Sequence, residues 1–120
     1  MTQFVALVVE NDTLQREAMA DALKSHALEV IECTTGEAAE LVLASVAPEL
    51  VALVIDIHLD GRMSGIELAR FARDKYPRLK VVVVSGQPRP FLPDGALFLA
   101  KPYQYRTFGR RDEYRDYESN

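Results

Sequence analysis

The fold of this 120-residue chain is constrained most by its short apolar runs, which alternate with segments whose apolar residues recur at helical intervals. The strongest runs are residues 4–9, 50–57, 80–84 and 96–100, and a weaker strand is expected at 29–33. Runs this short, rich in aliphatic and β-branched residues, are typical of strands that are buried on both faces. Strands that alternate with helices indicate parallel pairing through helical crossovers, so the sequence predicts an α/β fold with a parallel sheet.

The first two crossover segments carry helix start signals. Residues 14–27 have helical apolar spacing, and Asp12 or Thr13 would cap the N-terminus of this helix. Thr34 and Glu37 have the spacing of a capping box, in which each residue's side chain accepts a hydrogen bond from the other's backbone N–H. The sequence therefore predicts a second helix that begins just after Thr34.

The third crossover has the clearest boundaries. Ser64 and Glu67 repeat the capping-box spacing, and apolar residues follow at helical intervals as far as Tyr76. Pro77 then ends this helix, as Pro48 ends the one before it.

Two later segments depart from the alternation. Residues 86–95 contain three of the chain's prolines, which cannot be held inside a helix, so the fourth helix is expected to be reduced or absent. Residues 104–120 form an atypical C-terminal tail without Leu, Ile, Val or Ala. Its only large apolar anchors are aromatic: Tyr105, Phe108, Tyr114 and Tyr117.

Composition excludes several classes of protein. The net charge of −4 and the pI of about 5.2 disfavour nucleic-acid binding. The single cysteine, Cys33, rules out an internal disulfide and a cysteine-based zinc site. No apolar run is long enough to span a membrane, and the acidic residues after the first run do not fit a signal peptide. We expect one cytoplasmic domain over residues 1–120, with a core at 4–103.

Chemically distinctive residues follow the predicted strands. Glu10 and Asn11 follow the first strand, Asp56 ends the middle one, and Ser85 and Lys101 follow the last two. Ligands bind beyond the carboxyl ends of the strands in an open parallel sheet. Any one of these residues could be polar simply because a strand end meets solvent. Together, carboxylates, a hydroxyl and an ammonium group favour a site for a phosphate oxyanion and a hard divalent cation.

The segments VVENDTLQRE, LVIDIHLDGRMSGIELAR, VVVVSGQ and FLAKPY resemble the receiver domain of two-component response regulators, over residues 4–103. The resemblance implies a flavodoxin-like (CheY-like), doubly wound sheet of five parallel strands in the order 2-1-3-4-5. It implies a single-domain response regulator that is not an enzyme, beyond assisting its own phosphotransfer and dephosphorylation. The partners implied are a sensor histidine kinase or phosphotransfer protein and a downstream protein, with homodimerisation left open.

The resemblance also assigns roles around the phosphoryl group. Asp56 falls on the phosphoacceptor, and Glu10 and Asn11 fall on the family's acidic pair. Mg²⁺ would be held by these three residues and by the backbone carbonyl of His58, whose side chain is expected to face solvent. The family usually has aspartate where this chain has Asn11, so Mg²⁺ is expected to bind weakly unless Asp12 takes its place.

Three further positions match the family's pattern. Ser85 falls on its conserved threonine or serine, and Lys101 falls on its conserved lysine, followed by Pro102. Phe98 falls on the aromatic residue that acts with the hydroxyl residue as a switch. Asp60, next to Gly61, is interpreted as a turn residue rather than a metal ligand.

Alternative hypotheses remain at this point. A degenerate receiver could act as an interaction module without phosphorylation, and Asn11 favours this. A haloacid-dehalogenase-like phosphatase would need a second acid where His58 stands. A flavodoxin would bind phosphate where this chain places acids that repel it. A receiver excised from a larger hybrid kinase is a further alternative, although Met1 lies close to the first strand, which favours a native start.

Overall fold

The computed structural model describes residues 4–86 and 91–100, and over this part of the chain strands and helices alternate. In chain order the elements are β1 (Val5–Val9), α1 (Thr13–Lys24), β2 (Glu29–Cys33), α2 (Gly36–Val46), a 3₁₀ turn (Ala47–Glu49), β3 (Leu50–Asp56), α3 (Gly65–Lys75), β4 (Lys80–Ser85) and β5 (Leu97–Ala100). None of the helices within the described ranges is long and apolar enough to cross a membrane.

All five strands pair in parallel in one sheet of order β2-β1-β3-β4-β5, which confirms the predicted topology. In the central part of the sheet, Val9 of β1 lies beside Ile55 of β3, and Asp56 of β3 lies beside Val84 of β4. This register brings the carboxyl ends of β1, β3 and β4 to one edge of the sheet. The residues that leave these strands therefore start from neighbouring positions.

Helices cover both faces of the sheet, and successive strand residues alternate between them. Leu7, which is fully buried, packs on the side of α2 and α3 with Leu43 and Leu68. Val8, the next residue, packs on the opposite side with Met19 of α1. Because both faces are buried, β1 needs apolar side chains at consecutive positions, which is why the run is continuous rather than alternating.

Two of the predicted helix starts are confirmed by their hydrogen bonds. Asp12 caps α1, where its carboxylate accepts a hydrogen bond from the Gln15 backbone N–H at 2.8 Å. Ser64 and Glu67 form the reciprocal capping box of α3, with bonds of 2.8 and 3.0 Å. Both caps satisfy N–H groups that have no partner within the helix.

The capping box predicted at Thr34 and Glu37 is wrong. The N-cap of α2 is Thr35, whose hydroxyl accepts a hydrogen bond from the Ala38 backbone N–H at 3.1 Å. The Glu37 carboxylate instead accepts two backbone N–H groups from the loop that follows β3. Two donors supplied by the tertiary structure replace the single local donor that a capping box offers.

The connection into β5 contains no helix within residues 91–96, in agreement with the expected loss of the fourth helix. Arg73 of α3 holds this connection, since its guanidinium donates to the backbone carbonyl of Asp94 at 3.0 Å. The same guanidinium donates to the carbonyls of Pro77 and Leu79 beyond the end of α3. The aromatic tail at 104–120 lies outside the described residues.

Gly65, the first residue of α3, packs against the backbone that carries Asp56. A Cβ at this position would overlap the Asp56 carbonyl oxygen and would lie 2.6 Å from the Ile57 Cα. We expect Gly65→Ala to reduce the free energy of unfolding by about 2 kcal/mol or more, because backbone cannot move aside as a side chain can. Chemical denaturation measures this change.

Gly36→Ala is the matched control for this prediction. Gly36 is also buried and also begins a helix, but the three atoms nearest to a Cβ there belong to the side chain of Met63, each at 3.0 Å, rather than to backbone. We expect a loss smaller than about 1 kcal/mol, since alanine's higher helix propensity offsets the displacement of Met63. Equal losses for the two variants would contradict the close packing inferred at Gly65.

Candidate functional site at the carboxyl edge of the sheet

The buried polar residues of the described chain all lie at one edge of the sheet. They are Glu10, Asp56 and Ser85, with side chains 1%, 3% and 0% exposed. Each lies at the carboxyl end of its strand, where β1, β3 and β4 finish. Burial of a carboxylate is costly unless charges or hydrogen bonds compensate it, so two of them side by side indicate a site with a chemical role.

Strand pairing places these residues beside one another. The ladder continues past β1, where the Glu10 backbone N–H donates to the Cys33 carbonyl at 3.0 Å. It also continues past β3, where the Ile57 N–H donates to the Val84 carbonyl at 2.9 Å. Glu10 and Asp56 each follow a paired position on adjacent strands, so their backbones are held in register at the sheet edge.

Both carboxylates are held by backbone N–H groups two residues further along the chain. Glu10 Oε2 accepts a hydrogen bond from the Asp12 N–H at 3.0 Å, and Asp56 Oδ1 accepts one from the His58 N–H at 3.1 Å. The side chain of His58 is exposed, so His58 contributes its backbone to this region. These bonds limit the orientation of each carboxylate.

Asn11 is linked to Asp60, a contact that the sequence analysis missed. The Asn11 amide Nδ2 donates to Asp60 Oδ2 at 3.1 Å, although the residues are far apart in sequence. Asp60, which is predicted to be a turn residue rather than a metal ligand, thus places its carboxylate beside Asn11, the position where the family usually has a second acid. Asp12 was the expected substitute, but its carboxylate caps α1.

Arg16 is a second residue that the sequence analysis missed. Its Nη1 donates to the backbone carbonyl of Glu10 at 3.0 Å, and its Nε forms an ion pair with Glu32 Oε1 at 3.2 Å. The guanidinium thereby ties the exit of β1 to the neighbouring strand β2. Nothing in the local sequence identifies Arg16, because its ion-pair partner Glu32 lies beside β1 only when β2 pairs with it.

The remaining predicted residues lie on or beyond β4 and β5. Ser85 pairs with Ala100, and Phe98, which is half-buried, pairs with Val83. Lys101 and Pro102 lie outside the described residues, so the role expected for Lys101 stays a prediction.

The oxygen atoms at this edge suit Mg²⁺ in kind, since hard cations prefer carboxylate, carbonyl and water ligands. Within residues 4–86 and 91–100, however, no group of three or more His, Cys, Asp or Glu is arranged to hold a metal ion. A bound Mg²⁺ would need ligands beyond the carboxylates of Glu10 and Asp56. The Asn11 side-chain oxygen, the His58 backbone carbonyl and water could supply them.

Comparison with known proteins identifies the family of this chain. The family model of the response regulator receiver domain matches residues 6–104, so the chain belongs to this family. It is a receiver domain of two-component signalling, a signalling module rather than a catalytic enzyme. Receiver domains generally have a histidine kinase as partner and typically bind Mg²⁺.

Similar proteins include a response regulator and a phosphodiesterase. The chain is 33% identical to the response regulator protein FleR of Pseudomonas aeruginosa, over 84% of this chain and 22% of that protein. It is 37% identical to a cyclic di-GMP phosphodiesterase of Thermotoga maritima, over 67% of this chain and 20% of that protein. The chain therefore spans about a fifth of the length of these curated relatives.

A solved structure shows the same fold. The CheY-like receiver domain protein of Methanospirillum hungatei superposes with a TM-score of 0.73 at 24% identity, with 98% of each chain covered. This likeness supports the sheet order and the placement of the strand ends described above.

The contact between Asn11 and Asp60 leads to a prediction about Asn11→Asp. This change places two carboxylates within hydrogen-bonding distance, which should lower stability in EDTA by about 1 kcal/mol, the Coulomb energy of unit charges about 4 Å apart in water. The same charge should increase the affinity for Mg²⁺. Thermal unfolding in EDTA and a Mg²⁺ titration measure the two effects.

The double variant Asn11→Asp with Asp60→Asn is the control. It restores one carboxylate and one amide in exchanged positions, so the stability lost in EDTA should return. Equal Mg²⁺ affinities for the wild type and Asn11→Asp would contradict the expectation that Asn11 weakens metal binding.

Proposed function

We propose that this receiver domain is a phosphoacceptor, and that Asp56 takes a phosphoryl group from the phosphohistidine of a sensor kinase or a phosphotransfer protein. The observation that carries the proposal is the burial of the Asp56 carboxylate at the end of β3, between Glu10 at the end of β1 and Ser85 at the end of β4. A carboxylate in this position is reached only from beyond the sheet edge, which favours in-line attack on an incoming phosphoryl group.

The transfer is a displacement at phosphorus. A carboxylate oxygen of Asp56 forms a bond to phosphorus while the phosphorus–nitrogen bond of phosphohistidine breaks, and the electron pair stays on the imidazole ring. The product is an acyl phosphate on Asp56 and a free histidine on the donor. The His58 N–H, bonded to Asp56 Oδ1, holds the carboxylate in one orientation during the approach.

The surrounding residues have distinct roles in this proposal. Glu10, Asn11, Asp56 and the His58 carbonyl would hold Mg²⁺, which neutralises charge on the phosphoryl oxygens when it is bound. The Ser85 hydroxyl donates to one phosphoryl oxygen, and Lys101 contacts another through its ammonium group.

A degenerate receiver that acts as an interaction module is the second candidate. Asn11 favours it, because an amide that donates to Asp60 stands where the family's acidic pair has a second carboxylate, so the pair has lost one charge. Such a protein would bind its partners without accepting a phosphoryl group. Phosphorylation by a small-molecule donor distinguishes the two candidates.

The test uses acetyl phosphate and intact mass spectrometry, with and without Mg²⁺. We expect the wild type to gain the mass of one phosphoryl group in Mg²⁺, and Asp56→Asn to gain none. The fold of Asp56→Asn should persist, since its side-chain oxygen still accepts the His58 N–H. Asp21→Asn, which removes an exposed carboxylate on α1, is the control and should be labelled like the wild type.

Two results would contradict the phosphoacceptor proposal. Labelling of Asp56→Asn at a hydroxylamine-sensitive position would show that another carboxylate is the acceptor. A wild type that stays unlabelled in Mg²⁺ would favour the interaction module instead.

We further propose that phosphorylation is transmitted through Ser85 and Phe98 to a downstream protein partner. Ser85 pairs with Ala100, and residues 91–96 before β5 contain no helix and are fixed by Arg73 at Asp94. Movement of Ser85 toward the phosphoryl group should therefore change the order of residues 91–100 rather than shift a rigid helix.

Hydrogen exchange with and without beryllofluoride, a mimic of the phosphoryl group, measures this response. We expect changed protection in residues 91–100 of the wild type and no change in Asp56→Asn. Changes confined to the surroundings of Asp56 would contradict transmission through this route.

A further inference from the structure

Glu37 is far from Asp56 in sequence, yet its carboxylate holds the loop that carries the phosphoacceptor's neighbours. Glu37 lies in the first turn of α2. Its Oε2 accepts the backbone N–H of Arg62 at 2.7 Å and that of Met63 at 3.1 Å. Both donors belong to residues 57–64, the loop between β3 and α3, which we call the β3–α3 loop. A carboxylate that accepts two N–H groups makes stronger bonds than a neutral acceptor would.

The loop closes tightly over this carboxylate at Gly61. Gly61 has a φ of +99°, and a Cβ built on it would lie 2.9 Å from Glu37 Oε1. That oxygen is buried, and no hydrogen-bond donor contacts it within the described part of the chain. Residue 61 therefore has neither the backbone conformation nor the space for a side chain while Glu37 occupies this position.

The charge on Glu37 is maintained by its surroundings. Hydrogen bonding to its own backbone N–H, and then to the Arg62 N–H, lowers the pKa of the Glu37 carboxyl. The position in the first turn of α2 also favours a negative charge, because N–H groups at a helix start carry partial positive charge. The carboxylate is thus ionised at neutral pH, which keeps its bonds to the loop charge-assisted.

The N-terminal part of the β3–α3 loop contacts Asn11 and Asp56. Asp60 accepts the Asn11 amide, and the His58 N–H donates to Asp56. Residues 58 and 60 therefore face the site, while residues 61–63 are fixed on Glu37. The segment from residue 58 to residue 63 is therefore held at both ends. Because few rotatable bonds separate these ends, a displacement of Arg62 and Met63 would also displace His58.

We propose that Glu37 is a positioning residue for the phosphoacceptor site: it fixes the β3–α3 loop so that the His58 backbone carbonyl is placed to bind the divalent cation. This inference rests on the metal site of the proposed function. Glu37 touches neither the phosphoryl group nor the cation, and it acts through the backbone of Arg62 and Met63.

A Mg²⁺ titration of the full chain, followed by amide chemical shifts, tests this inference without any phosphoryl donor. We expect Glu37→Ala to weaken Mg²⁺ binding about tenfold, the lower end of what loss of an outer partner costs a metal site. Glu37→Gln should recover most of the affinity, because its amide oxygen still accepts both N–H groups. Amide exchange at Arg62 and Met63 should accelerate in Glu37→Ala and stay slow in Glu37→Gln.

The control is Glu40→Ala, which removes a carboxylate from the same helix but takes no part in the hydrogen bonds to the loop. It should leave Mg²⁺ affinity within about twofold of the wild type, since only charge at a distance changes. Thermal unfolding of all variants separates a local effect from loss of the fold.

A kinetic measurement separates positioning from a general structural role. In phosphorylation by acetyl phosphate, Glu37→Ala should raise the Mg²⁺ concentration that gives half of the maximal rate, whereas the rate at saturating Mg²⁺ should stay close to that of the wild type. A merely destabilised variant would lose both the affinity and the maximal rate.

Several outcomes would overturn the inference. Equal Mg²⁺ affinities for Glu37→Ala and the wild type would do so, and so would a Glu37→Gln variant as weak as Glu37→Ala. A wild type without saturable Mg²⁺ binding would also overturn it. If the wild type is phosphorylated on Asp56 while the Glu37 variants match it in Mg²⁺ dependence, the proposed function stands and only this inference fails.

Discussion

Two carboxylates buried at the ends of adjacent parallel strands are the constraint on which the rest of this structure depends. Glu10 and Asp56 lie almost entirely out of water. Burying two carboxylates on adjacent strands is costly unless hydrogen-bond donors or a cation compensate them. The backbone N–H groups of Asp12 and His58 supply part of that compensation, so the loops that follow β1 and β3 are shaped by the acids they must satisfy.

The loops around the site are tied to one another by side-chain hydrogen bonds. The β3–α3 loop reaches the β1 exit through Asp60 and reaches α2 through Glu37. Arg16 adds a third connection, from α1 to the carbonyl of Glu10. Each of these contacts joins different elements. The position of Asp56 therefore depends on how several elements pack at the carboxyl edge of the sheet. These contacts are the physical basis on which a change at Asp56 would alter the positions of other elements.

Local sequence patterns correctly predicted the hydrogen bonds whose donor and acceptor both belong to the start of one helix. Ser64 and Glu67 form the predicted capping box, and within the described residues each side chain bonds only to the other's backbone N–H. The same spacing failed at Thr34 and Glu37, where the loop after β3 offers the carboxylate two N–H donors. A capping box contributes one bond to that carboxylate, so the tertiary arrangement prevails. The hydrogen bond from Asn11 to Asp60 could not be predicted for the same reason, since Asn11 lies at the exit of a different strand.

The sequence by itself determined the class of fold, the approximate strands and helices, and the set of polar residues at the strand ends. It could do so because burial on both faces requires continuous apolar runs, and because parallel strands bring their carboxyl ends to one edge. Only the tertiary structure decided which polar groups pair there: Asn11 with Asp60, Arg16 with the Glu10 carbonyl, and Glu37 with the loop. Two of these pairs join residues distant in sequence, and the geometry of all three follows from strand register and helix packing, which no local spacing encodes.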